Sequence, residues 1–334
     1  MTVSKLSAIT KTILQSQTPE EEVSAIKLLS DFFLTFRSNR IPQPSDQTEI
    51  VLNGGIALSF DHAADCLQDY YRTARFIKGV YLSIQELLLR FPGEKINILY
   101  AGCGPFATIL LPVLPLFKTD QLQVTLIDIH PESVKFVKEL FTTLHLLPFV
   151  DSISVQNAIS YRYPSANLHL VISETMFHAL LTEPQVAITR NLAPQLANGG
   201  IFIPEEVTVE AVISSFSNEP FLSNTSTPLL PVTPERTLIA QLFSLNKSSA
   251  QSSSFSNQEY RSAWYQIPVF QKSSPDICLF THVKIFKTLE LGLSESLITN
   301  PYCLVSILNL PSNARISFIY NFAELPSWSY QLAD

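Results

Sequence analysis

The chain has 334 residues and a mass of 37.3 kDa, room for roughly two domains of about 150 residues. With 46% hydrophobic and 15% charged residues and a mean hydropathy of +0.19, it is globular, neither a disordered chain nor a small disulfide scaffold. A net charge of −7 repels a phosphate backbone and excludes nucleic acid as a natural partner, and four dispersed cysteines, Cys66, Cys103, Cys278 and Cys303, fit a reducing cytoplasm.

The N-terminus lacks the continuous apolar core of an export signal. From Pro19 to Arg37 apolar residues recur at Val23, Ile26, Leu29, Phe33 and Phe36, which predicts a helix capped by Thr18 with Glu20 to Glu22 in its first turn. A proline-punctuated connection over 41–46 leads to one or two further helices between Asp61 and Arg90, so the first ninety residues read as helical. Ile96 to Phe117 is a 22-residue run without a charge, long enough to span a bilayer. Gly102, Gly104, Pro105, Pro112 and Pro115 break it, so it reads as a strand, a tight turn and a short apolar helix, with no membrane span.

Short apolar strands then alternate with helices. Strands are expected at 96–101, 123–128, 152–156, 168–173 and 200–204, with a helix from Pro131 to Leu146 and another ending at Ala197 to Gly200. That alternation predicts an α/β, Rossmann-like, doubly wound parallel sheet. Beyond Glu205, β-type runs at 207–213, 277–287, 303–308 and 314–322 predict a C-terminal β domain. The expected division is a helical cover over 1–92, a nucleotide-type domain over 93–205 and the β domain over 206–334. Exposed loops are expected at the Ser-rich stretch 246–257 and the Pro-dotted stretch 225–234.

Gly102-Cys103-Gly104-Pro105 directly follows a predicted strand, where a doubly wound sheet lets a ligand approach the backbone. Asp128 closes the next strand, where a carboxylate can accept two hydrogen bonds from a ribose diol. Glycine turn and acid together suit a nucleoside, although an ordinary strand-to-helix turn accounts for the glycines alone. These residues resemble the class I S-adenosylmethionine-dependent methyltransferases, with a degenerate loop in which Tyr100 and Phe106 stand where the family often has an acid and a further glycine. The resemblance implies S-adenosyl-L-methionine as cofactor, held by Gly102, Cys103, Gly104 and Asp128, with Asn157-Ala158 reading the adenine.

A narrower resemblance, to the protein arginine methyltransferase-like group, rests on three places spread over about 60–290. Asp69-Tyr70-Tyr71-Arg72-Thr73-Ala74-Arg75-Phe76 looks like that group's D-x-x-R-T-x-x-Y/F helix, which makes Arg72 the partner of the cofactor's carboxylate. Ser173-Glu174-Thr175-Met176, with Glu183 nine residues after Glu174, is similar to its paired-glutamate loop, which grips a cationic nitrogen. Thr281-His282-Val283 is similar to its Thr-His-Trp loop, so the resemblance pairs His282 with Asp69 and makes Glu174, Glu183, His282 and Asp69 the catalytic set.

Val283, Phe177 and the segment Gly54-Gly55-Ile56-Ala57-Leu58 depart from the group's pattern and favour a small amine or guanidine, or a peptide, over protein arginine. Other readings stay open: helix capping by Glu183 ahead of Pro184, a solvent-facing His282, O- or C-methylation, and a nucleoside binder without turnover. The other histidines lack metal-ligand spacing, so no metal is expected, and Trp264 and Trp328 read as core or rim of the β domain. A homodimer is compatible with the resemblance.

Overall fold

A computed structural model of the chain describes residues 2–222, 234–251, 259–267, 273, 275–311 and 314–333. Helices α1 (Val3–Gln15) and α2 (Pro19–Arg37) pack on each other and on α4 (Tyr70–Arg90). Thr18 caps α2 as its sequence predicts: its hydroxyl accepts from Glu21 N while the Glu21 carboxylate reaches back to the backbone of Gln17 and Thr18. The expectation of an all-helical first ninety residues fails at a hairpin, β1 (Ile50–Leu52) and β2 (Gly55–Ala57), which precedes the short helix α3 (Phe60–Asp65). Asn53-Gly54 supplies its turn, a local signal that the helical reading passed over.

Strands β3 (Ile96–Ala101), β4 (Leu122–Asp128), β5 (Val150–Val155), β6 (Leu168–Ile172) and β7 (Leu196–Ile203) form a parallel sheet in the order β5-β4-β3-β6-β7. The chain winds outward in both directions from β3, so a crevice opens at the carboxyl ends of the central strands. Helices α5 (Pro131–Thr143) and α6 (Gln185–Leu192) follow β4 and β6.

Two sequence expectations need correction here. After β3 there is no regular apolar helix, only a series of turns and a 3-10 turn at Leu114–Leu116, because Pro112 and Pro115 have no N–H to continue a ladder. The expected helix ending at 197–200 stops at Leu192, and β7 already begins at Leu196.

The last third is antiparallel. Strands β8 (Glu206–Ser214), β9 (Thr237–Asn246), β12 (Asp276–Phe286) and β13 (Leu289–Leu291) pair in the order β13-β12-β8-β9, with β14 (Tyr302–Ser306) also on β12. Strands β10 (Glu259–Arg261), β11 (Tyr265–Gln266), β15 (Arg315–Asn321) and β16 (Ser327–Ala333) make a second sheet around β15. The sequence reading missed β9 and β16. Of the expected Ser-rich loop, Asn246 ends β9 and Ser249–Gln251 form a 3-10 turn, while 252–257 lie outside the described residues, as do 225–233 of the Pro-dotted stretch.

Helix α4 touches β3, β6 and β7 on one side and β12 and β13 on the other. Gly79 permits that approach, since a Cβ there would stand 2.5 Å from Ile285 Cγ2. The helix therefore holds its N-terminus where the two sheets meet. Among the described residues no helix is long and apolar enough to cross a membrane.

Candidate active site

The glycine turn leaves β3 with Gly102 at φ +70° and Gly104 at φ +60°, a left-handed conformation that favours glycine at both. A Cβ on Gly102 would lie 2.6 Å from Thr175 Cγ2, so the turn and the segment after β6 close on each other only because that atom is missing. Asp128, at the end of β4, accepts from Gly104 N at 2.8 Å and from His130 N at 2.9 Å, one bond on each oxygen. A carboxylate has about four lone-pair sites, so each oxygen keeps one for a ligand hydroxyl. Burial raises the Asp128 pKa against the pull of these two N–H groups.

Asn157 and Ala158 follow β5 and line the same cavity as Gln156. Asn157 Oδ1 accepts from Ile159 N at 3.0 Å, which shapes the turn, and Asn191 Nδ2 holds Ala158 O at 2.9 Å. The cavity runs from the hairpin residues Leu52, Ile56 and Ala57 to the strand ends at Gly102, Asp128 and Gln156. It brings together Arg72, Gly102, Cys103, Gly104, Asp128, Asn157, Ala158, Glu174 and Glu183 from five separate stretches of chain.

At the end formed by α4, Asp69 caps the helix, accepting from Arg72 N at 3.4 Å. Arg72 gives Nη1 to Glu174 (3.2 Å to Oε2) and Nη2 to the Cys66 carbonyl at 2.7 Å, and its Nε stands 3.8 Å from Asp69 Oδ2. Burial opposes its charge, but Glu174, Cys66 and Asp69 outweigh that, and the guanidinium stays firmly protonated. Burial also raises the pKa of Glu174, partly offset by Arg72. Glu183 has no such direct partner: burial first, then the like charge of Glu174, push its carboxyl up to about 8. The Cys66 thiol, raised by burial to about 11, stays neutral beside them.

Ala179, Leu180 and Thr182, between the two glutamates, have φ of +53°, +55° and +59°, each worth about 1–3 kcal/mol of strain for a side-chain-bearing residue. The β domain over-determines the loop. Thr281 Oγ1 accepts from Ala179 N at 2.7 Å, Trp328 Nε1 donates to Ala179 O at 2.8 Å, and Tyr320 OH donates to Leu180 O at 2.6 Å. On its other side the loop accepts from the hairpin, Ile56 N donating to Thr182 O at 2.8 Å, and Gly55 lies so close that a Cβ would sit 2.6 Å from the Glu183 carbonyl carbon. Pro184 and not Glu183 occupies the N-cap of α6, so Glu183 does not cap that helix through its side chain.

The expected Asp69–His282 pair does not form. Along β12 the buried Thr281 points to the glutamate loop, and the alternation of strand side chains turns His282 to the other face, where its side chain is 45% exposed and Nε2 lies 3.1 Å from Glu210 Oε2. Asp69 Oδ2 is instead met by Ser296 Oγ at 2.7 Å and Leu297 N at 2.9 Å, from the turn between β13 and β14. His178 lies on the glutamate loop between Phe177 and Tyr302, and burial draws its pKa down to about 4, leaving a neutral ring. Sequence reasoning missed Ser296, His130 and the hairpin wall of Leu52, Ile56 and Ala57, and it gave Trp328 no part in holding the loop.

No family model and no curated protein matches the sequence. Solved structures do. The Trypanosoma brucei PRMT1 enzyme–prozyme heterotetrameric complex with AdoHcy is 12% identical with a TM-score of 0.51, over 82% of this chain and 97% of that one. Arabidopsis thaliana protein arginine methyltransferase 10, crystallised in a uniquely open conformation, is 11% identical with a TM-score of 0.52, over 82% of this chain and 98% of its own. The chain thus has the class I, protein arginine methyltransferase-like fold, an α/β sheet with N-terminal helices and a C-terminal β domain.

Proposed function

We propose that the protein is an S-adenosylmethionine-dependent methyltransferase acting on the nitrogen of an amine or guanidine in a small molecule or peptide. The observation that carries this reading is the buried Arg72–Glu174 pair with Glu183 beside it, at one end of a cavity whose other walls are the Gly102–Gly104 turn and Asp128. On this reading residues 93–205 hold the cofactor, 1–92 cover it and 206–334 fix the acceptor loop.

The residues present fit the cofactor. The turn has no Cβ at Gly102 or Gly104, Asp128 keeps an accepting site on each oxygen, and a guanidinium has five donors, so Arg72 has capacity for a carboxylate beyond Glu174 and Cys66. When bound, S-adenosylmethionine supplies an electrophilic methyl group on a sulfonium. The chain's task is to place the acceptor nitrogen, since orientation alone contributes about 7–11 kcal/mol to such a displacement. Glu174 and Glu183 bind the cationic acceptor. With its pKa near 8, Glu183 carries a proton at neutral pH and releases it to solvent when a guanidinium enters; only the carboxylate so formed can take up the proton of an ammonium. His282 takes no part, because it faces away from the cavity.

The test is calorimetric titration of S-adenosylhomocysteine followed by labelled methyl transfer to a panel of amines and guanidines. Micromolar binding, with transfer to nitrogen that Glu183→Gln abolishes, supports the reading. Transfer to oxygen or carbon that is indifferent to Glu183→Gln replaces it, and tight binding without transfer to any acceptor leaves a nucleoside-binding protein. Self-association belongs to the same reading and is checked by sedimentation.

A further inference from the structure

We propose that Ser296 is a positioning residue of this site, acting through Asp69 to fix Arg72 and with it Glu174. The inference rests on the methyltransferase reading and names a residue that no sequence motif marked. Asp69 is 5% exposed and Arg72 6%, so neither charge has solvent to orient it. The carboxylate of Asp69 has three close donors: Arg72 N on Oδ1, and Ser296 Oγ and Leu297 N on Oδ2. Two of the three come from the 292–300 turn, so the orientation of Asp69 is set by the β domain and not by its own helix.

The turn is itself seated on α4 a second time. Arg75, in the second turn of the helix, is ion-paired with Glu295 and donates to Glu290 O at 2.8 Å. Ser296 is therefore registered against the helix on both sides of its hydroxyl. A hydroxyl and a backbone N–H have no charge to lose in the neutral range, so the hold on Asp69 does not titrate as an imidazole in that position does. His282, which the motif pattern assigned to this pairing, lies on the opposite face of β12 and cannot substitute.

The experiment is calorimetric titration of S-adenosylhomocysteine into wild type, Ser296→Ala, Ser296→Thr, Asp69→Asn and the double variant Ser296→Ala/Asp69→Asn. Asparagine is also a good N-cap, so Asp69→Asn keeps α4 intact. Expected is an affinity loss of about tenfold in Ser296→Ala, the scale of one hydrogen bond to a charged group, with Ser296→Thr restored to within about threefold. In the Asp69→Asn background, where the hydroxyl meets a neutral amide oxygen instead of a carboxylate, the alanine change costs less than in wild type, about threefold or under. Should alanine unfold the protein, Ser296→Cys, near in size with a weak donor, gives the same comparison. Wild-type binding that Ser296→Ala leaves unchanged, or a loss of equal size in both backgrounds, overturns the inference alone. A folded wild type that takes up no S-adenosylhomocysteine overturns the functional reading and this inference with it.

Discussion

The two ends of the cavity are built differently. At the nucleoside end the partners are near in sequence: Gly104 and Asp128 are 24 residues apart, Asp128 and His130 only two, and β3 and β4 are neighbours in one sheet. At the acceptor end, apart from the local contacts of Arg72 with Cys66 and Asp69, the ties are long. Arg72 reaches Glu174 over 102 residues, Thr281 reaches Ala179 over 102, Trp328 reaches the same residue over 149, and Ser296 reaches Asp69 over 227. On the proposed reading, a site for a nucleoside follows from one supersecondary unit, whereas the charges for an acceptor depend on the finished fold.

The harshest way to break this contrast is Arg72→Ala, which leaves Glu174 and Asp69 buried without their counter-charge. A loss of about 3–5 kcal/mol is expected in denaturant unfolding, together with the loss of S-adenosylhomocysteine binding. Glu183→Gln acts in the opposite sense on stability. Its carboxyl is raised from 4.5 to about 8 in the folded state, so the contribution to stability is full below pH 4.5 and disappears as pH rises through about 8. Expected is a variant about as stable as wild type near pH 4 and more stable by a few kcal/mol, order of magnitude, at pH 8.5, read from unfolding midpoints at both values.

Asp128→Asn is a smaller perturbation at the nucleoside end. Affinity for S-adenosylhomocysteine should fall about tenfold or somewhat more, with the melting temperature nearly unchanged, since an amide oxygen still accepts from Gly104 N or His130 N. The smallest effect sharpens the comparison: His282→Ala, on the exposed face of β12, should leave binding and any methyl transfer within about twofold of wild type. A large loss there would restore the histidine to the acceptor end.

What the sequence disclosed follows the same division. Thr18 and Glu21, Gly102 and Gly104, and Asp128 were legible because their roles depend on a cap, a turn and a strand end, each decided within a few residues. Glu174 and Glu183 were legible only through the resemblance to a paired-glutamate loop, and their meeting with Arg72 needed the fold. His282 was misplaced because a Thr-His pair within a strand must put one side chain in and the other out, and burial chose the threonine. Nothing local singles out Ser296 among the many serines of the chain, whereas β9 is a mostly apolar run and β16 alternates polar with apolar residues, strand signals that the sequence reading passed over.

Trp328 donates its indole N–H to the carbonyl of Ala179, one of the left-handed residues between the two glutamates, and it is 6% exposed, whereas Trp264 is 37% exposed. With Trp264 replaced by phenylalanine, emission excited selectively in tryptophan, beyond the absorption of the eleven tyrosines, originates in a single indole hydrogen-bonded to the acceptor loop. The protein thereby carries a native optical gauge of that loop, and a ligand that rearranges it can be followed in real time without an added label.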